Sequence, residues 1–307
     1  MTRFTIIALV ASLMLGNSML QAAEENTAKT TEEATGKTLK WVGCGISKKA
    51  FMTELAAAYE KKTGIKIDIQ GGGATRGIRE VAANNADMGG SCRHKIDGES
   101  KERDAVLEPV AWDALVVIVH PDNPVDNISF DQIRGIYLGK ITNWKQLGGN
   151  DAPIRLLARK GKISGVGRAL RKLVFANYNQ EFKATEFVKS SGPLEKAVVK
   201  DVNAIGVTGI SSARKRKVKN LKLDGKEPSY DNIRSGEYGL YRPLYLALNR
   251  HGKNAKEVDK FIKFAHSAEG KQIIRNNGTV PYLDALKLVL KQVAQEERAN
   301  ERGLYQN

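Results

Sequence analysis

Residues 65–95 read IKIDIQGGGATRGIREVAANNADMGGSCRHK, and this stretch decides the fold class. Ile65, Ile67 and Ile69 alternate with polar residues, the period of a half-buried strand. Three glycines then break the strand, and ATRGIREVAA opens a helix. ADMGG forms the end of a further strand, followed by a loop holding Ser91, Cys92 and Arg93. Upstream, LKWVGCG predicts a short buried strand. SKKAFMTELAAAYEKKTG predicts a helix, with Phe51, Leu55, Ala58 and Tyr59 at helical spacing, Ser47 as N-cap and Gly64 as stop. Strand, helix, strand, helix, strand implies a parallel sheet with three loops gathered at its carboxyl edge.

The rest of the chain repeats the design. WDALVVIVHPDNP is a continuous apolar strand closed by a turn, and SFDQIRGIYLGK carries a capping box, Ser129 with Gln132. APIRLLAR, AIGVTGI and RPLYLALN predict further strands, and a helix with Leu170, Leu173 and Val174 in register follows KGKISGVG. The chain ends in helices, the last with Leu286, Leu288, Val289, Leu290 and Val293 as an amphipathic face expected to pack on the first lobe. Two α/β units joined by long apolar strands imply a bilobed protein with a cleft at the strand ends.

The N-terminus, MTRFTIIALVASLMLGNSMLQAA, has the basic start, apolar run and small-residue end of a secretory signal peptide over residues 1–23. Residues 24–37 contain no large apolar side chain and read as a disordered spacer. A periplasmic chain with no stable membrane insertion is expected. The formal net charge of +15 asks for an anionic partner. The basic run SSARKRKVKNLKLDGK is interrupted by Asp and Gly and has no recognition motif beside it, so no nucleic acid is expected. The four histidines show no metal-ligand spacing, GGGATRG misses the dinucleotide fingerprint, and no nucleophile elbow, Walker loop or zinc-protease motif is present. The expectation is a monomer that is not an enzyme, with no cofactor and no metal.

Four loops share one design of strand end, glycine, small polar residues and helix start: GCGISKK, GGGATRG, GGSCRHK and ARKGKISGVGR. Helix N-termini offer unpaired N–H groups and a positive dipole end, hydroxyls add directional bonds, and glycine lets the backbone approach. Any one such loop is explained by helix capping. Four together, with Arg76, Arg93 and Arg159, point to an anion site.

The stretches GGGATRGIREVAANNADMGGSCR, ISFDQIRGIYLGKITNWKQLGGNDAPIRLLAR, AIGVTGI followed by LKLDGKEPS, and SGEYGLYRPLYLALN run in one order along the chain. Over residues 39–282 the chain resembles the phosphate-binding proteins of ABC uptake transporters, in the type II periplasmic solute-binding superfamily. The resemblance implies two lobes, each a mostly parallel sheet flanked by helices, joined by crossing strands near 112–117 and 243–248. Lobe I would comprise 38–114 and 244–307, and lobe II 115–243. It implies capture of a small oxyanion, phosphate first, for delivery to an ABC permease.

The ligand positions it implies are Ser47 and the Lys48 N–H in the first loop, and Thr75 and Arg76 in the second. The third loop gives Ser91, Cys92 and Arg93, and the fourth Arg159, Ser164 and Gly165. Ala74, Cys92 and Val166 replace family hydroxyl or carboxylate groups, and one extra residue separates Arg159 from Ser164. Cys44 and Cys92, the only cysteines, fall in the first and third loops, which the resemblance places at the ends of neighbouring strands. A paired count in an oxidising compartment favours a disulfide. Two thiolates for a soft metal, one reactive thiol, or two buried unpaired cysteines are the alternatives. The alternative function is a redox-active or sensory periplasmic module that uses these cysteines and no longer binds phosphate. A phosphate-ester enzyme is weaker still, since base and metal ligands are missing.

Overall fold

The computed structural model describes residues 36–301; the expected signal peptide (1–23) and all but the last two residues of the expected spacer (24–37) lie outside the described residues. Among the described residues there are twelve strands: β1 (Thr38–Gly43), β2 (Lys66–Gly71), β3 (Met88–Ser91), β4 (Val106–Val119), β5 (Asn127–Ile128), β6 (Arg155–Arg159), β7 (Glu186–Val188), β8 (Ala204–Gly209), β9 (Lys219–Asn220), β10 (Lys222–Leu223), β11 (Tyr241–Leu248) and β12 (Val280–Pro281). The main sheet runs β2-β1-β3-β11-β4-β8-β6-β7.

Its two halves are parallel. In the first, β1 pairs in parallel with β2 and β3; in the second, β6 pairs in parallel with β7 and β8. They meet through β4, whose Val106–Ala114 half lies antiparallel to β11 and whose Leu115–Val119 half lies antiparallel to β8. The apolar run read from WDALVVIV is thus one long strand serving both lobes, and from Val110 to Val119 it is buried throughout. Helices cover the parallel halves, as in an α/β type II binding-protein fold.

Local signals act where expected, with one change that matters. Ser129 and Gln132 form the reciprocal capping box of the helix Phe130–Tyr137. Gly64 ends the helix Thr53–Thr63 in the left-handed region, at φ 75°. Ser47, however, is not an N-cap. Cys44 is: its sulfur accepts from the Ser47 N–H at 3.3 Å, so the first turn starts three residues early and Ser47 is carried inside it. A π-type turn, Lys48–Met52, absorbs the extra residue before Thr53. The terminal helix, Lys287–Glu301, also differs from expectation. Leu288 is buried and Val289 packs against the core, but Leu286, Leu290 and Val293 are exposed. Lys291 donates to the Ser235 and Gly236 carbonyls and Gln292 meets His94 of the third loop, so the helix rests on the Tyr230–Gly236 segment and on the first lobe through a narrow stripe rather than a broad apolar face.

The helix Gly73–Ala82 is pressed on β1 and β3 by Gly77. A Cβ there would lie 2.8 Å from both the Gly90 and Val42 carbonyl oxygens. These are sheet backbone atoms and cannot turn aside, so the close approach that seats the second loop beside the third requires glycine. Gly77→Ala is therefore expected to destabilise. The helix-propensity gain of about 1 kcal/mol is outweighed by an overpacking cost of about 1–3 kcal/mol. Gly71→Ala, which meets nothing within 4 Å, is expected to leave the urea midpoint nearly unchanged.

Candidate functional site

The loops do converge, but on sulfur. Cys44 and Cys92 are both buried and both free thiols, hydrogen-bonded to each other; the disulfide expected from the paired count is not formed. Cys44 is held by capping its helix and by contact with the Ser47 hydroxyl at 3.2 Å. From the opposite lobe, Gly165 at the start of the helix Gly165–Leu170 faces Cys92: a Cβ on it would lie 2.3 Å from Cys92 Sγ and 3.1 Å from Ala74 Cβ. Lobe meets lobe here across a thiol.

Most donors named from the sequence are committed to the protein. Ser47 Oγ donates to the Ser91 carbonyl at 3.3 Å, and Ser91 Oγ donates to the Arg93 carbonyl at 2.7 Å. Both serines are fully buried. The Lys48 N–H donates to the Cys44 carbonyl. Ser164 caps its helix by accepting from the Gly167 N–H. Thr75 Oγ1 donates to the Ile163 carbonyl across the lobe junction at 3.2 Å. Arg76 turns outward to the Gly71 carbonyl and Glu80.

Arg93 is the clearest departure. It grips Glu102 with two bonds, at 2.7 and 2.9 Å. Its remaining groups donate to the His94 carbonyl, Thr75 Oγ1 and the Ile163 carbonyl. A guanidinium has five N–H groups, and all are engaged, so Arg93 works as a latch between the loops. Burial raises the Glu102 carboxyl and the bonds from Arg93 lower it; the net direction is down, as for a buried pair whose charges are both satisfied.

Two arginines remain with capacity. Arg159 donates to Ser191 Oγ at 2.9 Å and to the Lys189 carbonyl at 2.7 Å, and its buried Nε has no acceptor. Arg242, on β11, donates to the Cys92 carbonyl at 3.1 Å and to Asp113 at 3.4 Å; its buried Nε is likewise without a partner. Asp113 and Arg242 face each other in register across β4 and β11. Neither was named from the sequence. The available signal was one acidic and one basic residue inside two otherwise apolar strand runs, VAWDALVVIV and YRPLYLAL.

These charges set the chemistry of the thiols. The hydrogen bond from Cys44 is the largest influence on Cys92; burial opposes it, and the Arg242 and Arg159 guanidiniums assist, lowering Cys92 to about 6. Burial pushes Cys44 well up. The two shifts run in opposite directions and favour the thiolate on Cys92, with the Cys44 thiol as its donor. Burial raises the Asp113 carboxyl, against the pull of Arg242. Among the described residues no cluster of three or more His, Cys, Asp or Glu side chains is placed to hold a metal ion, and no helix is long and apolar enough to cross a membrane.

A model for a PBP superfamily domain matches residues 28–269. The phosphate-binding protein PstS of Bacillus subtilis (strain 168) is 27% identical over 289 residues, covering 92% of this chain and 95% of its own. PstS of Borreliella burgdorferi is 26% identical over 253 residues, covering 77% and 88%. A Clostridium perfringens protein assigned as a phosphate ABC transporter substrate-binding protein, solved with bound phosphate, matches with TM-score 0.73 and 29% identity over 80% of this chain and 99% of its own. An ABC-type phosphate transport receptor from Vibrio cholerae gives 0.61 and 29% over 79% and 99%. With the two parallel half-sheets, the shared long strand and the converging loops, these matches make one conclusion: the chain belongs to the PBP superfamily.

Proposed function

We propose that this protein is a periplasmic solute-binding protein that captures a small oxyanion, phosphate first, and passes it to an ABC permease. The observation that carries this reading is the meeting of Arg159 and Arg242 beside Cys92, each with a buried Nε–H lacking an acceptor. A buried unsatisfied donor costs about 1–3 kcal/mol, more when charged, and an oxyanion would relieve two such costs at once. The names of the PstS relatives support phosphate as the first candidate. No bond is made or broken; the solute shifts the balance between open and closed lobes.

Binding on this reading is an exchange. Contacts between lobes already exist: Thr75 and Arg93 on the Ile163 carbonyl, and Lys49 on Ser212 at 2.7 Å and Glu195 at 3.4 Å. Gly165 closes on Cys92. An arriving anion must part these contacts and take over the guanidiniums from the Cys92 thiolate, which serves as an internal counter-anion. The thiolate and the solute therefore compete for the same two cations.

Phosphate at 100 times its dissociation constant should add about 2.7 kcal/mol to stability, read as a rise in melting temperature. A flat response to phosphate, sulfate, arsenate and molybdate alike would overturn the reading. Cys92→Ser removes the competing charge and supplies a hydroxyl. A hydrogen bond to a charged group is worth about 1.5–3 kcal/mol, so phosphate affinity should rise roughly tenfold or more in titration calorimetry. The pH dependence has a fixed sign. A thiol lowered to about 6 in the fold contributes stability above the ordinary thiol range and loses it as pH falls through about 6. The wild type should lose stability over that interval relative to Cys92→Ser, while sulfate binding, which competes with the thiolate, should strengthen.

A further inference from the structure

Beside Cys92 and Arg242 lies a cavity of about 410 Å³, bounded by the third loop and β11, by the helical segment that follows Gly165, and by Gln292 of the terminal helix; Asp97 lines it too, on the side of Lys95. This is the volume of a small-molecule pocket, several times what a tetrahedral oxyanion fills. Its walls are mixed. Arg242 lies at one side, 4% exposed and with an unpaired Nε. Arg168 and Lys172 line it from successive turns of one helical face, and the Arg168 guanidinium sits 3.7 Å over the Tyr178 ring. Apolar surface is contributed by Leu173, Tyr241 and Tyr245. Of the oxyanion ligands expected from the sequence, Cys92 and Arg93 line this cavity, and Ser47, Ser91, Arg159 and Ser164 do not.

We propose that this cavity binds the aromatic body of an organic anion whose acidic group is held at Arg242 beside Cys92, so that the preferred solute is an aryl phosphonate or phosphate ester rather than the inorganic ion. The inference deepens the oxyanion reading and rests on it for the acidic group alone. Arginine and aromatic faces bind flat rings by stacking and cation–π attraction, and a charged group that cannot reach water needs the fixed cation that Arg242 supplies. An inorganic oxyanion would leave the cavity full of water and gain nothing from Tyr178 or Leu173.

Titration calorimetry of the mature chain with phenylphosphonate, methylphosphonate and inorganic phosphate tests it. Phenylphosphonate is expected to bind at least tenfold tighter than the other two. Leu173→Trp, which fills the cavity, is expected to abolish that advantage while leaving phosphate affinity and melting temperature unchanged. Tyr178→Ala, which removes a wall without adding bulk, is expected to weaken phenylphosphonate several-fold and phosphate not at all. Phosphate binding with no advantage for the aryl compound overturns this proposal alone, as does an advantage that survives both variants. Aryl binding without phosphate binding supports the cavity and overturns phosphate as first solute. Binding of none of the three overturns both.

Discussion

The buried pair of Asp113 and Arg242 governs this site. The two residues face each other across β4 and β11, each flanked along its strand by buried residues, Trp112 and Ala114 on one and Tyr241 and Pro243 on the other. A charge in that setting is costly unless matched, and removing one partner leaves the other unpaired in low dielectric. The guanidinium is thereby fixed in place. From that position it holds the Cys92 carbonyl, and with it the course of the third loop. It also draws Cys92 toward the thiolate and lines the cavity beside it.

A second constraint is hydrogen-bond closure within the loops. Ser47, Ser91, Thr75 and Arg93 are residue types that bind oxyanions, yet each is engaged by a carbonyl or carboxylate of the chain itself. Ala74 sits against the Gly165 approach with a methyl group where a hydroxyl would donate. On the proposed reading, guanidinium charge takes the larger share of recognition, and hydroxyl geometry the smaller. Charge is the less selective of the two, because it attracts any anion of like charge, whereas directional donors and acceptors read where an anion's oxygens and protons lie. A site of this kind suits solutes distinguished by their bodies as much as by their acidic groups.

The lobes also touch each other directly. Contacts at Ile163, Glu195 and Gly165 span the junction. On the proposed reading, opening and closing would exchange these polar contacts for bonds to the ligand, a difference that a few charge-assisted hydrogen bonds can tip.

The alternation of Ile65, Ile67 and Ile69, the glycines after them, the Ser129–Gln132 cap and the long apolar run through Trp112 announced strands, turns and helices correctly. Their order implied a parallel α/β sheet in two halves. These signals are local, a matter of period and of which residue can end an element, so a linear reading captures them. Strand order gathered the loops at one sheet edge, and the family resemblance set Cys44 beside Cys92. Local reading failed on which side chains those loops leave available. Ser47 looked like a cap and is an interior residue because Cys44 caps first; Arg93 looked like a ligand and is spent on Glu102. Asp113 and Arg242, 129 positions apart, looked like blemishes in apolar strands. Sequence alone determined the sheet, the loops and the excess of positive charge. Tertiary structure decided which donors stay unpaired, because a buried group's availability depends on partners that only folding brings within hydrogen-bond reach.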